Sequence, residues 1–139
     1  MKKLIQQTLS ALALVFFLFS CSEAEDQTPE TLTIENKIEI LEDGNWLLKG
    51  FEDRVMYAFK EGKRETFYGE NGEFSQPIPA TNDYFPTGTK LTIDLNFGNI
   101  KTYDVQLSCN NNIVELYDEN GTLNSTLYKQ NSDYENCLN

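Results

Sequence analysis

LTIDLNFGNIKTYDVQLSCNNNIVELY, residues 91–117, carries the clearest secondary-structure pattern of the chain. Apolar residues occupy every second position of 91–95 and again of 103–107, with polar residues between them. Such alternation is typical of β-strands that bury one face and expose the other. Asn- and Gly-rich turns at 96–99 and 110–112 separate these segments, so the stretch predicts consecutive antiparallel strands.

The same pattern extends over most of the chain. Strand-like segments also occur at 46–49, 55–60, 64–68 and 122–129, and short turns join them. Short strands spaced about 8–12 residues apart, with a turn after each, are typical of all-β barrels and sandwiches. The sequence therefore predicts an all-β fold, an antiparallel up-and-down meander that closes into a small barrel. A β-sandwich is the alternative.

Two segments do not fit a simple strand pattern. Residues 75–89 contain Pro77, Pro79 and Pro86. Because proline cannot donate to a β-ladder, we expect an irregular segment here and no regular central strand. Residues 32–41, LTIENKIEIL, fit neither a two-residue nor a helical period, so a first strand and a short helix both remain open.

The N-terminus has the three parts of a secretory signal. Lys2 and Lys3 precede an apolar run at 11–19, and a small residue, Ser20, follows it. The run is shorter than the about 20 residues that a membrane-spanning helix needs. We therefore expect residues 1–20 to be a lipoprotein signal peptide, 21–33 an acidic flexible tether, and 34–139 a β-barrel domain with a C-terminal tail.

Residues 18–21, LFSC, closely resemble a bacterial lipobox. The resemblance implies cleavage before Cys21 and lipidation of that cysteine, so the membrane is an expected partner. Several acyl chains would hold the protein firmly, since each buried CH₂ contributes about 0.8 kcal/mol. The expected location is the outer membrane. The acids at 22–26 look like a surface-export signal, and exposure on the cell surface or toward the periplasm both remain open.

The chain has three cysteines, and lipidation of Cys21 would leave an even pair. An exported, oxidising location then makes a disulfide between Cys109 and Cys137 reasonable. This bridge would attach the C-terminal tail to the end of the strand around residues 103–108. The predicted loop is long enough to stabilise the fold by about 3–4 kcal/mol in the chain-entropy treatment.

Charge and composition exclude several functions. The formal net charge is −11 at pH 7, which disfavours nucleic acid as a partner. The chain has no histidine, so serine triads, Cys–His dyads and HExxH zinc sites are excluded. Most carboxylates fall in turns or at polar strand positions and are expected to be solvated. We expect a protein that is not an enzyme and that needs no metal or other cofactor.

Three motifs follow one another along the chain: Gly44-Asn45-Trp46, Tyr57-Ala58-Phe59 and the segment 88–93, GTKLTI. In this order they resemble the lipocalins, and more closely the short lipocalin-like lipoproteins of Gram-negative bacteria. The resemblance implies an up-and-down barrel in which Trp46 plugs one end, with Lys129 as the basic residue near it. In many full-length members the barrel also holds a small ligand. The β region here is shorter, so a barrel filled by its own side chains is the alternative.

Aromatic residues are the candidates for lining such a barrel. Tyrosine hydroxyls need polar partners, which suits a partly hydrated interior. The candidate ligand-binding residues are Trp46, Tyr57, Phe59, Tyr68, Tyr103, Tyr117 and Tyr128. We expect them to bind a small apolar or amphipathic ligand. The alternative function is a structural or protein-interaction module of the cell envelope with a packed core, in which 75–89 is the contact loop and the protein partner is unknown.

Overall fold

Nine β-strands follow one another along residues 31–139, the part of the chain that the structure, a computed structural model, describes. One α-helix precedes the strands and a short 3₁₀ helix, Tyr134–Cys137, follows them. The bounds are α1 Ile34–Glu42, β1 Asn45–Leu48, β2 Val55–Lys60, β3 Lys63–Glu70, β4 Glu73–Pro77, β5 Asn82–Thr87, β6 Lys90–Asp94, β7 Ile100–Ser108, β8 Ile113–Tyr117 and β9 Leu123–Lys129.

Eight of these strands form a closed antiparallel barrel. Going round it, the strand order is β1, β2, β3, β5, β6, β7, β8 and β9, and β9 pairs with β1 to complete the circle. Trp46 of β1 stands opposite Lys129 of β9 at this closure. The prediction of an up-and-down barrel is thus confirmed, and the alternative of a sandwich is not realised. β4 is an additional strand, paired with β3.

The expectation of an irregular segment at 75–89 was wrong for most of its length. β4 pairs with the second half of β3 and β5 with its first two residues, so both run along the same edge of β3 and are interrupted at 78–81. Pro79 lies in that break. The amide of Tyr84 donates to Gly62 O, away from β6. Because amides alternate in direction along a strand, the nitrogen of Pro86 also faces away from β6, and no ladder bond is lost.

The ambiguous segment before β1 is the helix α1. The Thr33 hydroxyl caps it by accepting a hydrogen bond of 3.3 Å from the amide of Asn36. Ile34 and Leu41 are buried against the barrel, and the ammonium group of Lys37 donates to Val105 O at 2.7 Å. The helix packs on β2, β6 and β7. No helix in residues 31–139 has the length and apolarity needed to cross a bilayer.

The core lies inside the barrel and under the helix. Its members are apolar or aromatic and nearly all stand at inward positions of the strands: Ile34, Leu41, Trp46, Phe59, Tyr84, Leu91, Ile93, Tyr103, Val105, Val114, Leu116 and Leu127. The expected signal peptide, the lipidation site Cys21 and most of the expected tether lie outside the described residues.

Candidate functional site

The two ends of the barrel differ. At the end where β1 begins, α1 lies against the barrel, and the indole N–H of Trp46 donates to Leu41 O at 2.8 Å. Asp43 and Lys129 form an ion pair of 2.9 Å beside Gly44, where an added Cβ would lie 2.8 Å from Lys129 Cε. Trp46 is therefore buried at this end of the barrel, with Lys129 as its cross-strand partner.

The opposite end carries the loops β1–β2, β6–β7 and β8–β9. Large apolar or aromatic side chains are exposed there, and Phe97 at the tip of the β6–β7 turn is fully exposed. The set comprises Phe51, Tyr68, Phe97, Ile100 and Leu123. Leu48 and Leu95, which pack against the core near this end, are only partly buried. The helix thus covers one end of the barrel, and the other end is rimmed by exposed apolar groups.

The β2–β3 hairpin brings an arginine into the barrel. Its two-residue turn, Glu61-Gly62, has φ values of 50° and 78°, which suit a tight hairpin. That turn sets Phe59 opposite Arg64 and Tyr57 opposite Thr66. Opposite residues share a face, and Phe59 belongs to the core. Arg64 and Thr66 therefore stand at inward positions.

Few partners within residues 31–139 satisfy the Arg64 guanidinium. Its carbon lies 4.5 Å from the centre of the Tyr57 ring, a cation–π arrangement. Its Nη2 donates to Asn82 Oδ1 at 2.7 Å. Its Nε is buried and has no hydrogen-bond partner. No ion pair in the described part of the chain joins Arg64 to a carboxylate.

Burial shifts the pKa values of Arg64 and of the two tyrosines beside it, Tyr57 and Tyr103. Burial lowers the pKa of Arg64, and the nearby hydroxyls of Tyr57, Tyr103 and Tyr68 oppose that shift. Burial raises the pKa of Tyr57 and of Tyr103, and the charge of Arg64 acts against both shifts. Both tyrosines are therefore neutral at pH 7 and retain hydroxyl protons to donate. A cation flanked by neutral hydroxyl donors is suited to holding an anion.

The predicted aromatic residues occupy four different environments, three on the inner face and one on the outer face. Trp46 and Phe59 are part of the packed core. Tyr57 and Tyr103 face inward close to the charge of Arg64, and Tyr103 is also a buried member of the core. Tyr68 lies on the same face but is 61% exposed, at the rim.

The remaining two predicted tyrosines stand on the outer face. Tyr117 pairs with Asp104 and donates to Glu115 Oε2 at 2.9 Å. Tyr128 alternates with the core residue Leu127, so it points outward, where it stacks on Tyr134 with ring centres 4.4 Å apart. The structure thus brings five of the seven predicted residues to the inner face and leaves Tyr117 and Tyr128 outside.

The C-terminal tail is held where Tyr134 covers Tyr128. Cys109 and Cys137 form a disulfide across a sequence separation of 28, which confirms the predicted bridge. Asn112 Nδ2 also donates to Asp133 Oδ1 at 2.9 Å. The tail therefore forms a cover on the outer face of the barrel, opposite to the side chains of the interior.

Arg64 was not among the residues that sequence reasoning selected. The signal was present, since the Glu61-Gly62 turn fixes the register and Arg64, Thr66 and Tyr68 alternate with outward residues. No local sequence pattern predicted the position of Asn82, because that position depends on the break at 78–81.

No group of metal-ligating side chains is found in residues 31–139. Comparison with protein-family models, with curated proteins and with solved structures gives no match for this chain.

Proposed function

We propose that the protein is a lipid-anchored, lipocalin-like barrel that binds a small apolar or amphipathic molecule and performs no catalysis. The observation that carries this proposal is the asymmetry of the barrel. Trp46 and α1 close one end. At the other end, the inward residues Leu48 and Leu95 are only partly buried and Tyr68 is exposed. An apolar interior reached from one end is a common form of small-molecule site.

The exposed apolar rim supports the same proposal. Phe97 and Ile100 offer apolar contact at the end away from the helix. A soluble domain rarely gathers apolar groups at one place without a binding role. An amphipathic ligand would place its tail among such groups as Leu48 and Leu95, and its polar end near the tyrosines.

A thermal-shift screen of the full-length chain tests ligand binding. Fatty acids and sterols should raise the melting temperature, whereas sugars should leave it unchanged. Tyr57→Ala and Tyr103→Ala should reduce the shift, while the outer-face variant Tyr117→Ala should retain it. No stabilisation by any apolar or amphipathic compound would refute the proposal and favour the packed structural module.

The proposed anchor is Cys21, in the outer membrane. In a Gram-negative host, the intact mass of the wild-type protein should show loss of residues 1–20 and addition of acyl chains. Cys21→Ser should lack the acyl mass and leave the membrane fraction. Protease added to intact cells then separates a surface location, in which the domain is cleaved, from a periplasmic one, in which it is protected. An unmodified Cys21 in the wild-type protein would refute the anchor.

A further inference from the structure

The unpaired guanidinium inside the barrel indicates the chemical class of the ligand. We infer that Arg64 binds the anionic head group of an amphipathic monocarboxylate whose apolar tail lies in the barrel. This inference rests on the proposed function, because it assigns the charge of a ligand that the barrel is proposed to hold.

The first step is the cost of the buried charge. Removing a charged group from water is unfavourable unless hydrogen bonds and an opposite charge replace the lost hydration. Arg64 has five N–H donors, and within residues 31–139 its side chain makes one hydrogen bond, to Asn82. The Tyr57 ring contributes a second, weaker contact at 4.5 Å. Neither neighbour carries a negative charge, and the Nε proton is left unsatisfied.

The second step concerns the carboxylate partners that Arg64 lacks within residues 31–139. The chain has 22 acidic residues, so carboxylates are abundant, yet no ion pair of the described residues includes Arg64. Lys63, the residue before it, pairs with Asp83, and Lys129 pairs with Asp43. Asn82 occupies the position opposite Arg64, where an aspartate would have neutralised it. The charge of Arg64 is therefore available to an anion that residues 31–139 do not supply.

The third step selects a single negative charge. Within residues 31–139, Arg64 is the cation whose side chain lies in the aromatic interior, over the Tyr57 ring and hydrogen-bonded to Asn82. A monoanion would leave this site neutral, whereas a dianion would leave a buried excess charge. A carboxylate also matches the planar edge of a guanidinium with two parallel hydrogen bonds. Tyr57 and Tyr103 lie near this charge, and because burial raises the pKa of each, both hydroxyls stay protonated and neutral at pH 7.

The fourth step places the rest of the ligand. The net charge of −11 disfavours long-range attraction of an anion, so binding must depend on contacts made inside the barrel. Leu48 and Leu95 line the inner face near the uncovered end, and both are partly buried. An apolar tail in contact with them would supply that short-range affinity.

Calorimetric titration of the full-length chain with chain-matched probes tests this inference. The probes are decanoate, decanol, decylammonium and decyl phosphate, which share a tail and differ in the head group. Decanoate should bind at least about tenfold more tightly than decanol, because a charge-assisted pair replaces a neutral contact. Decylammonium should bind more weakly than decanol, since its charge repels Arg64.

Variants of the two arginines test whether the preference for decanoate over decanol depends on Arg64. Arg64→Gln should reduce the preference for decanoate over decanol to within about twofold, because the charge-assisted pair is lost. Arg54→Gln removes the other arginine, which is exposed in the β1–β2 loop, and should leave the preference intact. Arg64→Lys keeps the charge but not the planar edge, so part of the preference should remain.

The titration results distinguish a failure of the carboxylate role of Arg64 from a failure of ligand binding itself. Equal affinity of decanoate and decanol in the wild-type protein overturns the role of Arg64 but leaves ligand binding in place. A decanoate preference that persists in Arg64→Gln also overturns it, as does tighter binding of decyl phosphate than of decanoate. Absence of binding by all four probes overturns both. If Arg64→Gln does not fold, the wild-type series and Arg64→Lys still decide the question.

Discussion

The indole Nε1 of Trp46 donates a hydrogen bond of 2.8 Å to the carbonyl oxygen of Leu41, and both side chains are completely buried. This bond joins the last turn of α1 to the first barrel strand. It satisfies one of the carbonyl groups that the C-terminal turn of a helix leaves free. This buried bond therefore helps to hold the helix on the barrel end, together with the bond from Lys37 to Val105 O and the bond from Tyr84 to Glu42.

We expect Trp46→Phe to lower the free energy of unfolding by about 2–4 kcal/mol. The change leaves the Leu41 carbonyl unsatisfied and opens space under the helix, and both effects are destabilising. Urea denaturation followed by circular dichroism measures the difference. Tyr117→Phe is the control, because it removes a hydrogen bond on the outer face and should change stability by less than about 0.5 kcal/mol. A Trp46→Phe effect as small as that of the control would contradict this role.

The disulfide should stabilise the fold through the length of the loop that it closes. Replacing Cys109 and Cys137 together by serine is expected to cost about 3–4 kcal/mol, given the sequence separation of 28. Urea denaturation of the double variant against the oxidised wild type measures this. Free-thiol titration is the second check, and two reactive thiols at 109 and 137 in the wild-type protein without reductant would contradict the bridge.

Gly69 stands where β3 has a register irregularity. A Cβ there would lie 2.6 Å from Glu73 O and 2.7 Å from the Phe74 ring, so the β3–β4 hairpin must shift to admit it. We expect Gly69→Ala to lower the free energy of unfolding by about 1–3 kcal/mol. Gly44→Ala is the matched control and should cost less, since the three atoms nearest to its Cβ all belong to the Lys129 side chain, which can move more easily than backbone. Equal effects of the two variants would contradict the crowding at Gly69.

Tyr84 should make stability depend on alkaline pH. Burial, and the hydrogen bond that its hydroxyl donates to Glu42, raise its pKa above the usual value of about 10. The contribution of neutral Tyr84 is thus complete below pH ~10, and it is lost as the pH rises through the folded-state pKa.

Urea denaturation across this range compares the wild type with Tyr84→Phe. The stability advantage of the wild type should be constant at neutral pH and should shrink above pH ~10, where the unfolded tyrosine ionises. An advantage that stays constant up to strongly alkaline pH would show that the Tyr84 proton does not contribute in this way.

Much of the barrel could be predicted because local patterns determine it. The alternation in 91–117 and the short turns gave the strands β6, β7 and β8 close to their observed bounds. Trp46 of the Gly44-Asn45-Trp46 motif is buried and bonded to α1 at the start of β1. The pairing of Cys109 with Cys137 followed from the even number left after Cys21, and the structure confirms it.

Three features could not be predicted from local sequence because they depend on tertiary contacts: the strand β5, the helix α1 and the site at Arg64. The prolines at 77 and 86 suggested an irregular segment, yet Pro86 lies in β5 because its nitrogen faces away from the paired strand β6. α1 has a weak helical pattern, and its structure is stabilised by burial of Ile34 and Leu41 against the barrel. The site at Arg64 required both the hairpin register and the position of Asn82, and only the first is local in sequence.

The most direct test of the ligand site is the nuclear magnetic resonance signal of the Arg64 Nε–H group, assigned by its loss in Arg64→Gln. Addition of decanoate to the full-length chain should shift this signal and slow its exchange with water, because the unpaired proton gains a carboxylate partner. Decanol should shift it far less. Decanoate that leaves the Arg64 signal unchanged, or that perturbs only exposed groups such as Phe97, would contradict a carboxylate site inside the barrel.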